Sequence, residues 1–107
     1  DQIYVDQKVK NYIVEIVMAT RKPADYGLGN VANLISVGGS PRASIALIRA
    51  SKAHAFLRGR GYVTAEDVKA IAYGVLRHRL ILTYEAEAES IKSDQMVKEI
   101  LSHIEVP

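Results

Sequence analysis

In the run SVGGSPRASIALIRASKAHAF, Arg42 is the side chain best placed for binding chemistry. It directly follows Pro41 at what reads as a helix start. The first turn of a helix carries unpaired N–H groups and partial positive charge, so a cation there is unfavourable by roughly 0.3 kcal/mol or more. An anion reverses that sign. A guanidinium beside free helix N–H groups forms a site whose fork matches phosphate oxygens. Gly38 and Gly39 let the backbone approach closely, and Ser40 can cap the helix. Pro41 suits the first helical position, where its missing N–H would be unpaired anyway. On spacing alone, an anion site and an ordinary surface arginine behind a cap stand equally open.

No other constellation suggests catalysis. His54, His78 and His103 fall on three different predicted helices, none with a second ligand at metal spacing, so no metal site is expected. His54 lies in a mostly apolar helix and reads as a satisfied packing residue. His78, between Arg77 and Arg79, reads as part of a solvated helix end. In YEAEAES, Glu85, Glu87 and Glu89 alternate, which in a strand would put like charges on one face. A solvated edge or loop is expected there. Acid–base catalysis would need a buried carboxylate pair that the sequence does not show.

The elements that must hold Arg42 follow from periodicity. Val9, Tyr12, Ile13, Ile16 and Val17 keep the spacing of an amphipathic helix, with Asp6 as N-cap and Arg21-Lys22-Pro23 as its stop. From Pro23 to Gly39 the chain reads as irregular, with YGLGN as a turn and Leu34, Ile35 and Val37 tucking the loop onto the core. The second helix starts at Ser40-Pro41 and ends at Gly59. Ala43, Ala46, Leu47, Ala50, Ala53 and Leu57 line one face, and Ile45, Ile48, Ala55 and Phe56 an adjacent one. That breadth predicts a central helix packed on several sides. Thr64 and Asp67 form a capping box for a third helix through Val68, Ile71, Ala72, Val75 and Leu76, which Gly74 threatens to interrupt. LILTYE reads as a short strand, paired with Tyr62-Val63. Ser93 is expected to cap a last helix carrying Met96, Val97, Ile100, Leu101 and Ile104. The fold class is therefore mainly all-α, a small bundle of about four helices with at most a tiny two-stranded β ribbon.

The 107 residues, 49% hydrophobic, suffice for one domain spanning 1–107. Without tryptophan and with one phenylalanine, its core must be aliphatic. The absence of cysteine excludes disulfides and thiol-ligated metals and fits a reducing, cytoplasmic setting. No apolar run approaches the roughly 20 residues that cross a bilayer, and the opening DQIYVDQKVK is no signal peptide. A start without Met suggests a mature product or a piece of a longer protein. Charge is uneven: residues 38–82 carry a net +6 and residues 83–107 a net −4. A basic middle suggests an anionic partner, while the acidic tail argues against tight DNA binding. No phosphate-binding glycine loop between strand and helix is present, so the chain holds no complete nucleotide site.

The stretch GGSPRASIALIRASKAHAFLRGRGYVTAEDVKAIAYGVLRHRLILTYEAEAE resembles the C-terminal lid domain of the MoxR family of AAA+ ATPases. The likeness extends back through TRKPADYGLGN and forward to IEVP, covering nearly the whole chain. In that family a Gly-small-Ser-Pro-Arg motif carries the sensor 2 arginine. Gly38, Ser40, Pro41 and Arg42 match it, and Gly39 stands where the family usually has Ala. Tyr73-Gly74 replaces a more polar pair. The resemblance implies that Arg42 reaches the γ-phosphate of ATP, held with Mg2+ by a preceding α/β domain of the same parent chain. It further implies neighbouring subunits in a homo-oligomeric ring, usually a hexamer. Chaperone-like assembly or remodelling follows, in some cases with a von Willebrand factor A domain partner. No Walker motif, sensor 1 or arginine finger is present, so the piece alone is expected neither to bind cofactor nor to hydrolyse ATP.

The rival reading is a stand-alone nucleic-acid-binding module built on Arg42, Arg49, Lys52, Arg58, Arg60, Arg77 and Arg79. Sparse aromatic stacking residues and few base-reading side chains on the third helix rank it second.

Overall fold

Residues Gln7–Arg21 form α1 because their apolar positions share one face and Asp6 accepts the Gln7 N–H at 2.9 Å. The computed structural model describes residues 3–107, without the side chains of Asn30 and Val37. Val9, Tyr12, Ile13, Ile16 and Val17 are all buried, as their spacing predicts. Pro23 then stops α1 and opens a 3-10 turn, Pro23–Tyr26, followed by a second, Gly29–Val31. The expected irregular segment is thus two tight turns and a strand, β1, Ile35–Val37. Leu28, Val31, Leu34 and Ile35 pin it to the core; the Val37 side chain lies outside the description.

Helix α2 runs Pro41–Leu57 and α3 Ala65–Leu76. Ser40 occupies the N-cap position of α2, but its hydroxyl makes no capping bond, contrary to expectation. Arg58 is the C-cap, and Gly59 follows at φ +77°, the left-handed conformation that glycine adopts without a Cβ penalty. Gly74 does not interrupt α3: it faces solvent, with nothing within 4 Å of where a Cβ would stand. Only its propensity cost remains.

The β ribbon exists, with a different partner. β2, Ile81–Leu82, pairs antiparallel with β1, Ile35 opposite Leu82, and not with Tyr62-Val63. Tyr62 instead bridges to Tyr4, where the Tyr4 N–H donates to the Gly61 carbonyl at 2.8 Å. The acidic run is neither strand nor loop. It forms α4, Tyr84–Ala88, because Thr83 accepts the Ala86 N–H at 3.3 Å and Ala86 alone drops into the core. Glu85, Glu87 and Glu89 are solvated, as expected. The last helix, α5, runs Ser93–His103. Its N-cap is Lys92 rather than Ser93, with the Gln95 side chain accepting the Lys92 N–H at 2.6 Å.

Leu47, Val68, Leu76, Val97 and Ile100 join the α1 residues in an aliphatic core. α2 packs against α3 and α1, and α5 closes the bundle over α3 and α1. The expectation that α2 is covered on several sides is wrong. Its buried positions are Ala43, Leu47, Ser51 and Ala55, one narrow stripe, while Ile45, Phe56 and Leu57 are 53%, 70% and 82% exposed.

Candidate functional site

The motif loop is seated on the end of α1. A Cβ on Gly38 would collide with the Thr20 carbonyl oxygen and stand 2.6 Å from the Thr20 carbonyl carbon and 2.8 Å from Arg21 Cα. Those are backbone atoms and cannot step aside. Gly39 N–H donates to Thr20 Oγ1 at 2.8 Å, and the same hydroxyl donates to the Val17 carbonyl at 2.6 Å. Thr20 is buried, so this short chain of hydrogen bonds is shielded from water. At Gly39 an added Cβ would lie 3.3 Å from Thr20 Oγ1 and 3.4 Å from Ala43 Cβ. An added side chain would therefore be tight here, and glycine avoids that contact.

The role of Thr20 has no signature in the sequence, where it is one polar residue ending an apolar helix. Thr20→Val keeps the shape but leaves the Gly39 N–H without its acceptor. We expect a loss of about 1–2 kcal/mol in stability, measured by denaturant titration.

Ser40 and Pro41 lead from this anchor into α2, and Arg42 projects from the first turn. Arg42 is exposed and has no ion-pair partner among the described residues. The Ser40 hydroxyl takes none of the first-turn N–H groups; Pro41 has none and the Ala43 N–H donates to the Ser40 carbonyl at 2.8 Å, which leaves the N–H of Arg42 itself for an incoming acceptor. Arg21, Ser36, Gly38, Gly39, Ser40 and Pro41 line an open groove of about 380 Å³ beside it. Arg21, which ends α1, thus brings a second exposed cation to the motif. The arrangement can receive an anion from outside the domain.

A second polar cluster lies between α2 and α3. Asp67 is fully buried and is the hub. Arg60 grips it with two bonds of 2.6 and 2.8 Å, and His54 Nδ1 lies 2.7 Å from Oδ1. The Thr64 N–H donates to Oδ2 at 2.7 Å, completing the predicted capping box. Burial pushes the carboxyl pKa up, but hydrogen bonds from Arg60, Thr64 and His54 outweigh it and hold Asp67 well below the usual carboxylate range. An ionised carboxylate only accepts, so Nδ1 of His54 carries the proton. The cluster is structural: His54 is a satisfied packing residue, and no reactive group faces it. Among the described residues, no group of three His, Cys, Asp or Glu is placed to hold a metal.

Ion pairs also take two of the seven cations from the nucleic-acid patch, a reading that is not favoured. Arg60 is spent on Asp67, and Arg77 pairs with Asp94 through bonds of 2.9 and 3.0 Å. His78 is exposed in the turn after α3. No described helix is long and apolar enough to cross a membrane.

The profile of the AAA lid domain family matches residues 29–100. Chaperone MoxR1 of Mycobacterium tuberculosis is 39% identical over 104 residues, 97% of this chain but 28% of that protein. Protein MoxR of Paracoccus denitrificans is 37% identical over 78% of the chain and 26% of its own length. A crystal structure of a candidate ATPase from Cytophaga hutchinsonii superposes with a TM-score of 0.95 at 45% identity, covering 99% of the chain and 32% of that protein. The chain therefore spans about a third or less of the proteins it matches. With the family profile over most of its length and MoxR relatives over nearly all of it, the chain belongs to the AAA lid domain family, as the lid of a MoxR-type AAA+ ATPase.

Proposed function

We propose that this lid closes over ATP held by a preceding α/β domain of the parent chain and that Arg42 is its sensor 2 residue. The observation carrying this reading is an exposed guanidinium without an ion-pair partner among the described residues, on a first turn whose start is clamped to α1 through Gly38 and Thr20. A flexible cation would lose conformational entropy on each encounter with phosphate. Mounted on a helix, the Arg42 backbone is held in advance while the exposed side chain orders on contact, and that rigid attachment turns phosphate contact into lid angle.

ATP with Mg2+ supplies the γ-phosphate, whose oxygens gather negative charge during transfer. Arg42 is placed to stabilise that charge. Gly38, Gly39, Ser40 and Pro41 support it, and they make no chemical step themselves. Coupling of lid angle to nucleotide state in a homo-oligomeric ring, with a hexamer as the stoichiometry, gives chaperone-like remodelling in the cytoplasm. A von Willebrand factor A domain protein is the partner we infer from the family.

In the full-length parent, Arg42→Ala is expected to lower ATP turnover about a hundredfold, equivalent to roughly 2.7 kcal/mol of barrier, while circular dichroism and melting stay unchanged. Unaltered turnover would remove the sensor assignment. Arg42→Lys should recover only part of the rate, because a point charge cannot reproduce the planar fork.

A further inference from the structure

The seat of the motif loop on α1 places two arginines on one mount. Arg21 lies in the last turn of α1, and a Cβ on Gly38 would stand 2.8 Å from its Cα, so the two backbones are in contact. Thr20, the residue before Arg21, accepts the Gly39 N–H at 2.8 Å from within the core. From Gly38 to Arg42 is four residues, at most about 14 Å of chain. Both arginines are exposed, and neither has an ion-pair partner among the described residues. The groove of about 380 Å³ that begins at Arg21 passes Ser36 and the motif loop to Pro41, the residue before Arg42. No carboxylate lines it. The Ser36 and Ser40 hydroxyls on its wall have no hydrogen-bond partner among the described residues.

The negative pole at the end of α1 favours a cation there. Lys22 meets the same field and is also exposed, yet it does not line the groove. The field therefore does not account for Arg21 standing beside the motif. Two like charges held on one loop repel, and a single carboxylate would neutralise only one of them. A polyphosphate carries separate charges on neighbouring groups, and a guanidinium can bind each through two parallel N–H···O bonds. We propose that Arg21 is a second phosphate-binding residue of the lid, which grips the β-phosphate of the nucleotide while Arg42 meets the γ-phosphate. The proposal rests on the reading that this end of the lid faces ATP. With Arg42 on the terminal phosphate, the next charged group along the nucleotide is the β-phosphate, which ATP and ADP share. A contact made equally before and after transfer strengthens binding without lowering the barrier from the bound state. Arg21 thus acts on nucleotide affinity and product retention, and Arg42 on the phosphate that is transferred.

The test uses the full-length parent with Mg2+, taking ADP and AMP affinities by calorimetry and ATP turnover by phosphate release. Arg21→Ala is expected to weaken ADP binding about tenfold and to raise the KM for ATP by a similar factor, with kcat within about twofold. AMP affinity and melting temperature should stay unchanged, because AMP lacks the β-phosphate and the Arg21 side chain is exposed. Arg21→Lys should recover part of the affinity, and Lys22→Ala should behave as the unaltered protein. Unchanged ADP affinity in Arg21→Ala overturns the proposal. An equal loss for AMP also overturns it, by moving Arg21 to the base or ribose. So does a loss that disappears once subunits are fully assembled, which gives Arg21 to a carboxylate of a neighbouring subunit. If Arg21→Ala weakens ADP while Arg42→Ala leaves turnover unchanged, the Arg21 contact stands and the sensor role of Arg42 alone falls.

Discussion

Asp67→Ala is expected to destabilise the domain by about 3 kcal/mol, read as a lower denaturant midpoint with a nearly unchanged slope. The substitution removes the buried hub joining Arg60, His54 and Thr64, so the turn between α2 and α3 loses its common acceptor. The capping bond accounts for about 1 kcal/mol of this, and the remainder is the loss of a carboxylate whose donors were arranged around it. Arg60 retains some contact with water, which keeps the effect at the lower end for a broken buried pair. Asp67→Asn, which keeps the shape and loses the charge, should fall between the two proteins.

The same residue gives a pH signature. Its folded carboxyl lies below the ordinary value of 3.8, so the unfolded chain takes up a proton first as pH falls. Its stabilising contribution is complete above about pH 5 and declines as pH drops below 4 toward the folded value. Plotted against pH, the stability of Asp67→Asn should be flatter than that of the unaltered domain in this acid range. Parallel curves would show that the carboxylate charge contributes nothing.

Gly38→Ala is expected to cost about 3 kcal/mol or more and, in the parent protein, to reduce turnover by displacing Arg42. Here glycine is needed for space and not for an unusual backbone angle. The new Cβ meets the carbonyl of Thr20 and the Cα of Arg21, so either α1 frays or the motif loop lifts away. Lifting also stretches the Gly39–Thr20 bond, which is why the effect exceeds that of one added methyl. Two other glycines provide controls. Gly61 has open space and should accept Ala almost freely, whereas Gly59 at φ +77° should lose about 1 kcal/mol from backbone conformation alone. A neutral Gly38→Ala would mean that the loop is not seated on α1.

The regular helices were readable because their causes are local. Asp6, the apolar spacing of α1 and the Thr64–Asp67 box all act within a few residues. Misreadings fall where a contact outside the regular periods decides. β2 pairs with β1 rather than with the nearer Tyr62-Val63, and no local signal records that choice. Alternating glutamates imitate a strand, but Thr83 as cap and Ala86 as the single buried position make α4 a helix. Sequence alone places Arg60 with the surface cations because its partner lies across the α2–α3 turn, where neither helical nor strand periodicity applies. The breadth of apolar residues on α2 overstated its burial, since composition does not distinguish a residue covered within the domain from one left uncovered by it. At the candidate site, the glycines, the proline and the exposure of Arg42 were legible, whereas the Thr20 clamp and the nearness of Arg21 required the folded loop.

The ribbon between β1 and β2 has a consequence for the order of folding. Thr83 donates to the Asn33 carbonyl across 50 residues, and the Gly39–Thr20 bond closes a loop of 19. The Arg60–Asp67 pair, by contrast, spans only seven residues. Loop-closure entropy rises with such separations, which favours the early formation of the more local contacts. We expect the α2–α3 hairpin to gather first, the motif then to seat on α1, and the ribbon to lock the intervening segment last. During synthesis, the turns that precede Arg42 are therefore expected to stay unfixed until residues 81–83 have left the ribosome.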